Sequence, residues 1–145
     1  PMGRPDMAPM IFLKAIINNK PIKIFNNGKM KRDFTYIDDI VEGLIRCCNK
    51  PAIKSENPIL RTSSAPFKIF NIGNGNPIDL MYFIEILEDK IGLKAKKEYL
   101  PMQKGDVSET YASTEELYKW VDYSPSTPIE IGVEKLVNWY KDFYL

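Results

Sequence analysis

Histidine is absent from this 145-residue chain. That absence removes the commonest general base, any Ser-His-Asp arrangement and the commonest zinc ligand. Cysteine is scarce: only Cys47 and Cys48 occur, side by side. Sequence neighbours are poorly placed to bridge each other, and the pair is not a C-x-x-C site, so no metal site is expected. A reduced, cytoplasmic protein fits this usage. Charge of one sign is not in excess either. Lys and Arg total 20 against 19 acidic residues, for a net charge of +1, which argues against a nucleic-acid partner. No apolar run approaches the ~18–20 residues of a membrane span, and no signal-peptide pattern opens the chain, so no membrane partner is expected. The opening Pro1-Met2-Gly3-Arg4-Pro5 is loop-like in composition, which suggests entry in mid-protein.

What is present is enough for one domain. Hydrophobic residues make up 44% of the chain, sufficient for a real core and inconsistent with a disordered composition. Ala8, Ile11, Phe12, Ala15 and Ile16 repeat at helical spacing after Asp6, a candidate N-cap. Ile22 to Phe25 reads as a short strand closed by the Asn26-Asn27-Gly28 turn. An extended segment from Lys31 to Tyr36 follows. Asp38-Asp39 opens a helix with an apolar stripe of Ile37, Ile40, Val41, Leu44, Ile45 and Cys48. Lys50 to Pro66 reads as a long exposed loop. Phe67 to Ile72 predicts a strand, Gly73 to Pro77 a turn, and Leu80, Phe83, Ile84 and Leu87 one face of a helix. Lys94 to Tyr99 predicts a further strand. Ser113 with Glu116, and Thr127-Pro128 with Glu130, predict two helix starts. The last helix is expected to bury Val133, Leu136, Val137 and Tyr140. The fold class is therefore mixed α and β, with more helix than strand.

Few residues point to chemistry by themselves. Gly73-x-Gly75 lies between a predicted strand and a predicted helix, as in dinucleotide-binding turns. The third glycine of that pattern is replaced by Ile78, and no acidic residue follows in the required context. A plain strand–helix turn is the better reading. Cys48 falls on the apolar stripe and is expected to be buried and structural. Lys29, Lys31 and Arg32 form a basic cluster at a hairpin. Arg32 sits where strand geometry could hold its guanidinium to grip a phosphate bidentately. Met102 to Val107 is a polar loop, the kind of segment in which ligand contacts collect.

Taken together and in order, four segments resemble a known family. They are Gly3-Arg4-Pro5-Asp6-Met7-Ala8, Lys31-Arg32-Asp33-Phe34-Thr35-Tyr36-Ile37-Asp38-Asp39-Ile40, Asn71-Ile72-Gly73-Asn74 and Leu100-Pro101-Met102-Gln103-Lys104-Gly105-Asp106-Val107. The chain resembles the carboxy-terminal, substrate-binding part of extended short-chain dehydrogenase/reductase enzymes, most nearly the UDP-glucuronate 4-epimerase group. The likeness runs from Gly3 to Tyr144. It implies a nucleotide-sugar-binding part without the main Rossmann domain, which is expected upstream together with the site for NAD.

The resemblance also implies roles for particular residues. Arg32 matches the arginine that holds the nucleotide diphosphate. Lys23, Ile24 and Phe25 match a strand that meets the uracil. Gln103 and Asp106 match positions beside the ribose and diphosphate, with Gln103 standing where galactose-type enzymes carry arginine. Arg4 matches an arginine near the substrate. No catalytic residue is expected here, because no Tyr has Lys four residues later. The implied whole enzyme interconverts UDP-glucuronate and UDP-galacturonate through a 4-keto intermediate, with a UDP-sugar as its partner and a homodimer as its candidate assembly. The fragment alone is expected to be inactive. Two other readings stand beside this one: a UDP-glucuronate decarboxylase or sugar dehydratase of the same family, and a non-catalytic binding domain.

Overall fold

The computed structural model describes residues 7–145 and has the mixed α/β character expected. Its chain order is α1 (Ala8–Ile17), β1 (Pro21–Ile24), β2 (Lys31–Asp33), α2 (Ile37–Asn49), β3 (Pro77–Asp79), α3 (Leu80–Ile91), β4 (Lys96–Tyr99), α4 (Glu115–Val121) and α5 (Ile129–Tyr144). These elements fall into two units. The first comprises residues 7–32, Ile78–Thr110 and Pro128–Leu145; the second comprises Asp33–Pro77 and Tyr111–Thr127.

In the first unit, α1 begins with a proline in its first turn, where a missing N–H costs nothing. It ends at Asn18, whose side chain donates back to the Lys14 carbonyl at 2.8 Å. Asp6, the expected cap, lies outside the described residues. The buried face is Met10, Phe12, Leu13 and Ile16, whereas Ile11, expected in the stripe, is largely exposed. β1 alternates strictly, with Ile22 and Ile24 inward and Pro21 and Lys23 outward. It pairs in parallel with β4, placing Ile22 opposite Lys97 and Ile24 opposite Tyr99. β2 and β3 make a second two-stranded sheet. Helices α3 and α5 pack on each other and supply Phe83, Ile84, Leu87, Val133 and Val137 to the core. Leu136 lies outside that fully buried set.

The strand expected over Ile22–Phe25 stops at Ile24. Phe25 instead opens a 3-10 turn, in which Asn26 (φ 50°) and Asn27 (φ 49°) are both left-handed. Asparagine tolerates that region because its short polar side chain can bond locally. Here the Asn26 side chain donates to the Lys29 carbonyl at 2.7 Å. Gly28 follows with φ 80°, and a Cβ there would lie 2.8 Å from the Met81 sulfur. Gly28→Ala should therefore cost about 1–2 kcal/mol from left-handed strain alone, with the Met81 clash added. An unchanged Tm in thermal unfolding would contradict this.

In the second unit, α2 corrects an expectation. It forms where predicted, but its apolar stripe is not buried: Ile37 is 54% and Leu44 53% exposed, with Val41 and Ile45 similar. The face that packs is the one carrying Gly43, close to Ile72 and Tyr123. Cys48, expected to be buried on that stripe, is exposed, and Cys47 is intermediate. The predicted strand over Phe67–Ile72 is also absent among the described residues. Only an isolated antiparallel bridge joins Thr62 to Lys68. A strand needs a continuous ladder of backbone partners, and within the described residues this segment has only local ones, such as Ile69 N–H to the Arg61 carbonyl at 3.1 Å. The capping residues differ as well. α4 is capped at Thr114 and α5 at Pro128, neither with a side-chain cap bond.

Candidate functional site

The expected binding residues that the structure describes, Lys23, Ile24, Phe25, Arg32, Gln103 and Asp106, all lie in the first unit. Strand direction explains why. Because β1 and β4 run parallel, their carboxyl ends share one edge, and the segments that leave them emerge together. Ligands characteristically bind outside the carboxyl ends of such strands. Backbone bonds continue past the strands: Leu100 N–H donates to the Ile24 carbonyl at 2.9 Å, and Asn27 N–H to the Leu100 carbonyl at 3.1 Å. The Leu100–Val107 loop is thus tied to the end of β1.

The same loop then runs onto β2. Lys31 N–H donates to the Ser108 carbonyl at 2.8 Å, and Thr110 N–H to the Lys31 carbonyl at 3.2 Å. This pairing brings Asp106 to Arg32 across 74 positions of sequence, with Nη2 2.9 Å from Oδ1. Nη1 of the same guanidinium donates to the Lys31 carbonyl at 2.8 Å. The Arg32 side chain is 23% exposed, so its charge is partly withdrawn from water and its plane is fixed at two points. Asp106 Oδ1 also accepts the Val107 N–H at 2.8 Å. The loop turns through Gly105 at φ 83°, and Asp106 N–H donates to the Gln103 carbonyl at 3.2 Å.

The expected residues divide by exposure. Lys23 and Gln103 are exposed and Phe25 is half-buried. The Ile24 side chain is fully buried, so a ligand could meet only its backbone. Arg4 lies outside the described residues. Lys31 points to Asp79, 3.9 Å away, and not to the Asp106 carboxylate that Arg32 engages, as alternation along a strand requires.

Sequence reasoning missed the partners of Arg32: the Lys31 carbonyl and Asp106, which came forward only as a contact for ribose and diphosphate. It also missed Asp33. In the second unit, Asp33 Oδ2 accepts the N–H groups of Gly75 and Ala112, each at 3.0 Å. A Cβ on Gly73 would lie 2.4 Å from the Ala112 Cβ. The Gly73-x-Gly75 turn is therefore filled by protein: its amide serves a carboxylate of the chain, and its glycine admits a neighbouring side chain. These residues do not fit a dinucleotide phosphate cradle. Among the described residues no group of three or more metal-ligating side chains is assembled, and no helix is long and apolar enough to cross a membrane.

Comparison with known proteins bears on the whole chain. Residues 1–73 match the model of a family described as the NAD dependent epimerase/dehydratase family. Protein CapI of Staphylococcus aureus is 47% identical over 149 residues, an overlap covering 99% of this chain and 45% of that protein. The UDP-glucuronate 4-epimerase of Thermodesulfobacterium geofontis (strain OPF15) is 44% identical over 143 residues, covering 98% of this chain and 40% of that protein. Among solved structures, UDP-glucuronic acid 4-epimerase from Bacillus cereus, in complex with UDP-glucuronic acid and NAD, superposes with a TM-score of 0.80 at 29% identity, covering 99% of this chain and 42% of that one. The chain thus spans less than half the length of each of these proteins.

Proposed function

This chain belongs to the NAD-dependent epimerase/dehydratase family, and from that premise we propose that it is the UDP-sugar-binding part of a nucleotide-sugar 4-epimerase acting on UDP-glucuronate and UDP-galacturonate. One observation carries the reading. Arg32 and Asp106, matched separately to a nucleotide-diphosphate site, lie 2.9 Å apart on one loop-and-strand edge. The relatives supply the substrate class, since the Bacillus cereus enzyme was solved with UDP-glucuronic acid.

In this reading the redox chemistry belongs to NAD and to residues outside this chain. The present residues contribute the grip. Arg32 holds the diphosphate with a planar fork that matches two phosphate oxygens. The ends of β1 and β4, with Phe25 and Gln103 beside them, receive the nucleoside. A sugar that must present both faces at C4 needs a loose pocket, and a firmly held UDP is what keeps it in the site.

The test is product analysis. The complete polypeptide, incubated with UDP-glucuronate and NAD, should yield UDP-galacturonate by NMR. Release of carbon dioxide with a pentose product would reassign it as a decarboxylase, and no turnover of either kind would overturn the reading.

A further inference from the structure

The Arg32–Asp106 pair has a property that charge complementarity to a ligand does not explain. Asp106 is an anion at a site argued to take an anion. Left free, it would repel the diphosphate or compete for Arg32. Its carboxylate is not free. Oδ1 is engaged by the protein, accepting Arg32 Nη2 at 2.9 Å and the Val107 N–H at 2.8 Å. The loop conformation at Gly105, and the backbone pairing of Ser108 and Thr110 with Lys31, fix the carboxylate where it is. Arg32 spends one N–H on Asp106 and one on the Lys31 carbonyl. A guanidinium carries five N–H donors, so with respect to the described residues Nε and the outer hydrogens stay available.

We propose that Asp106 is a positioning residue for Arg32: it fixes the guanidinium plane before ligand arrives, so that its remaining donors meet the two phosphates of a nucleoside diphosphate. The proposal rests on Arg32 being the diphosphate anchor. A long side chain held at two points surrenders little further rotational freedom on binding. Asp106 therefore acts on the discrimination between nucleoside diphosphate and monophosphate, through Arg32.

Affinities for UDP and UMP in the complete polypeptide test this. Asp106→Ala should weaken UDP on the order of tenfold and UMP far less, so that the UDP/UMP preference falls. In an Arg32→Ala background the same change should add less than about threefold, because the residue it positions is gone. Asp106→Asn keeps an oxygen acceptor at that position and should stay within about threefold of the parent protein, since the acceptor and not the charge does the positioning. Equal loss for UDP and UMP would mean that Asp106 touches the nucleoside instead. Additive losses in the double variant, or tighter UDP binding by both Asp106 variants, would likewise overturn the proposal. An Arg32→Ala variant with unchanged UDP affinity would refute the diphosphate site itself, and the positioning role with it.

Discussion

Arg32→Ala is expected to raise the dissociation constant for UDP by roughly thirty-fold to a few thousand-fold, which corresponds to ~2–5 kcal/mol for removing one member of a desolvated charge pair. The expectation rests on how this side chain is held. The Arg32 guanidinium is held at two points, and its side chain is 23% exposed. Lys31 is the neighbouring cation, but its side chain is 49% exposed and its nearest acid, Asp79, is 3.9 Å away. A loosely held, solvated charge contributes little to affinity. Lys31→Ala should therefore change UDP binding by less than about threefold. Arg32→Lys should recover only part of the loss, because an ammonium is a point charge without the planar fork. The three variants need comparison at one salt concentration, since screening alters charge contacts. Equal losses at Lys31 and Arg32 would show that the faces of β2 are misassigned.

The second large effect concerns stability, at Glu88. Its side chain is 2% exposed, yet it stays charged because three donors surround it: Lys97 Nζ at 2.7 Å, Lys94 Nζ at 2.9 Å and the Ala95 N–H at 3.0 Å. Burial pushes its pKa up, but the bonds from Lys97, Lys94 and Ala95 outweigh burial and bring it down to about 2. The backbone carbonyl of Glu88 meanwhile accepts the N–H groups of Gly92 and Leu93. One residue thus closes the end of α3 and fastens the start of β4, the strand that pairs with β1.

The sign of the pH effect follows. The folded-state pKa lies below the ordinary value of 4.5, so the stabilisation is fully present above that pH and is lost as pH falls toward 2. Its full size is at most about 3–4 kcal/mol, from ~1.4 kcal/mol per pKa unit. Glu88→Gln removes the charge and should lower Tm at pH 7 by roughly 5–12 °C for a chain of this size. The gap between variant and parent should narrow steadily from pH 4.5 to pH 2.5, as the parent loses what the variant already lacks. A constant gap across that range would show that Glu88 acts by packing and not by charge.

The helices were legible because each carries an apolar periodicity that local sequence determines: α1, α2, α3 and α5 all form where their stripes predict. What covers a stripe is not a local property. Ile37, Val41, Leu44 and Ile45 read as a core face, yet they are exposed, and α2 packs instead by the face around Gly43. Phe67–Ile72 has strand composition without a ladder to join, since pairing depends on partners that composition does not specify. The site was half visible. Arg32 stood out by its place on an extended segment, and the Met102–Val107 loop by its composition. Their meeting depends on the pairing of Lys31 with Ser108 and Thr110, which no short-range pattern encodes. Glu88 left a fainter trace, as one acid in a helix followed by Lys94 and Lys97.

A crystal structure of the complete polypeptide with UDP tests the central claim most directly. The account predicts the diphosphate beside the ends of β1 and β4, with Arg32 nitrogens within ~3 Å of its phosphate oxygens and Asp106 still bonded to the same guanidinium. UDP bound with its phosphates away from Arg32 would contradict it.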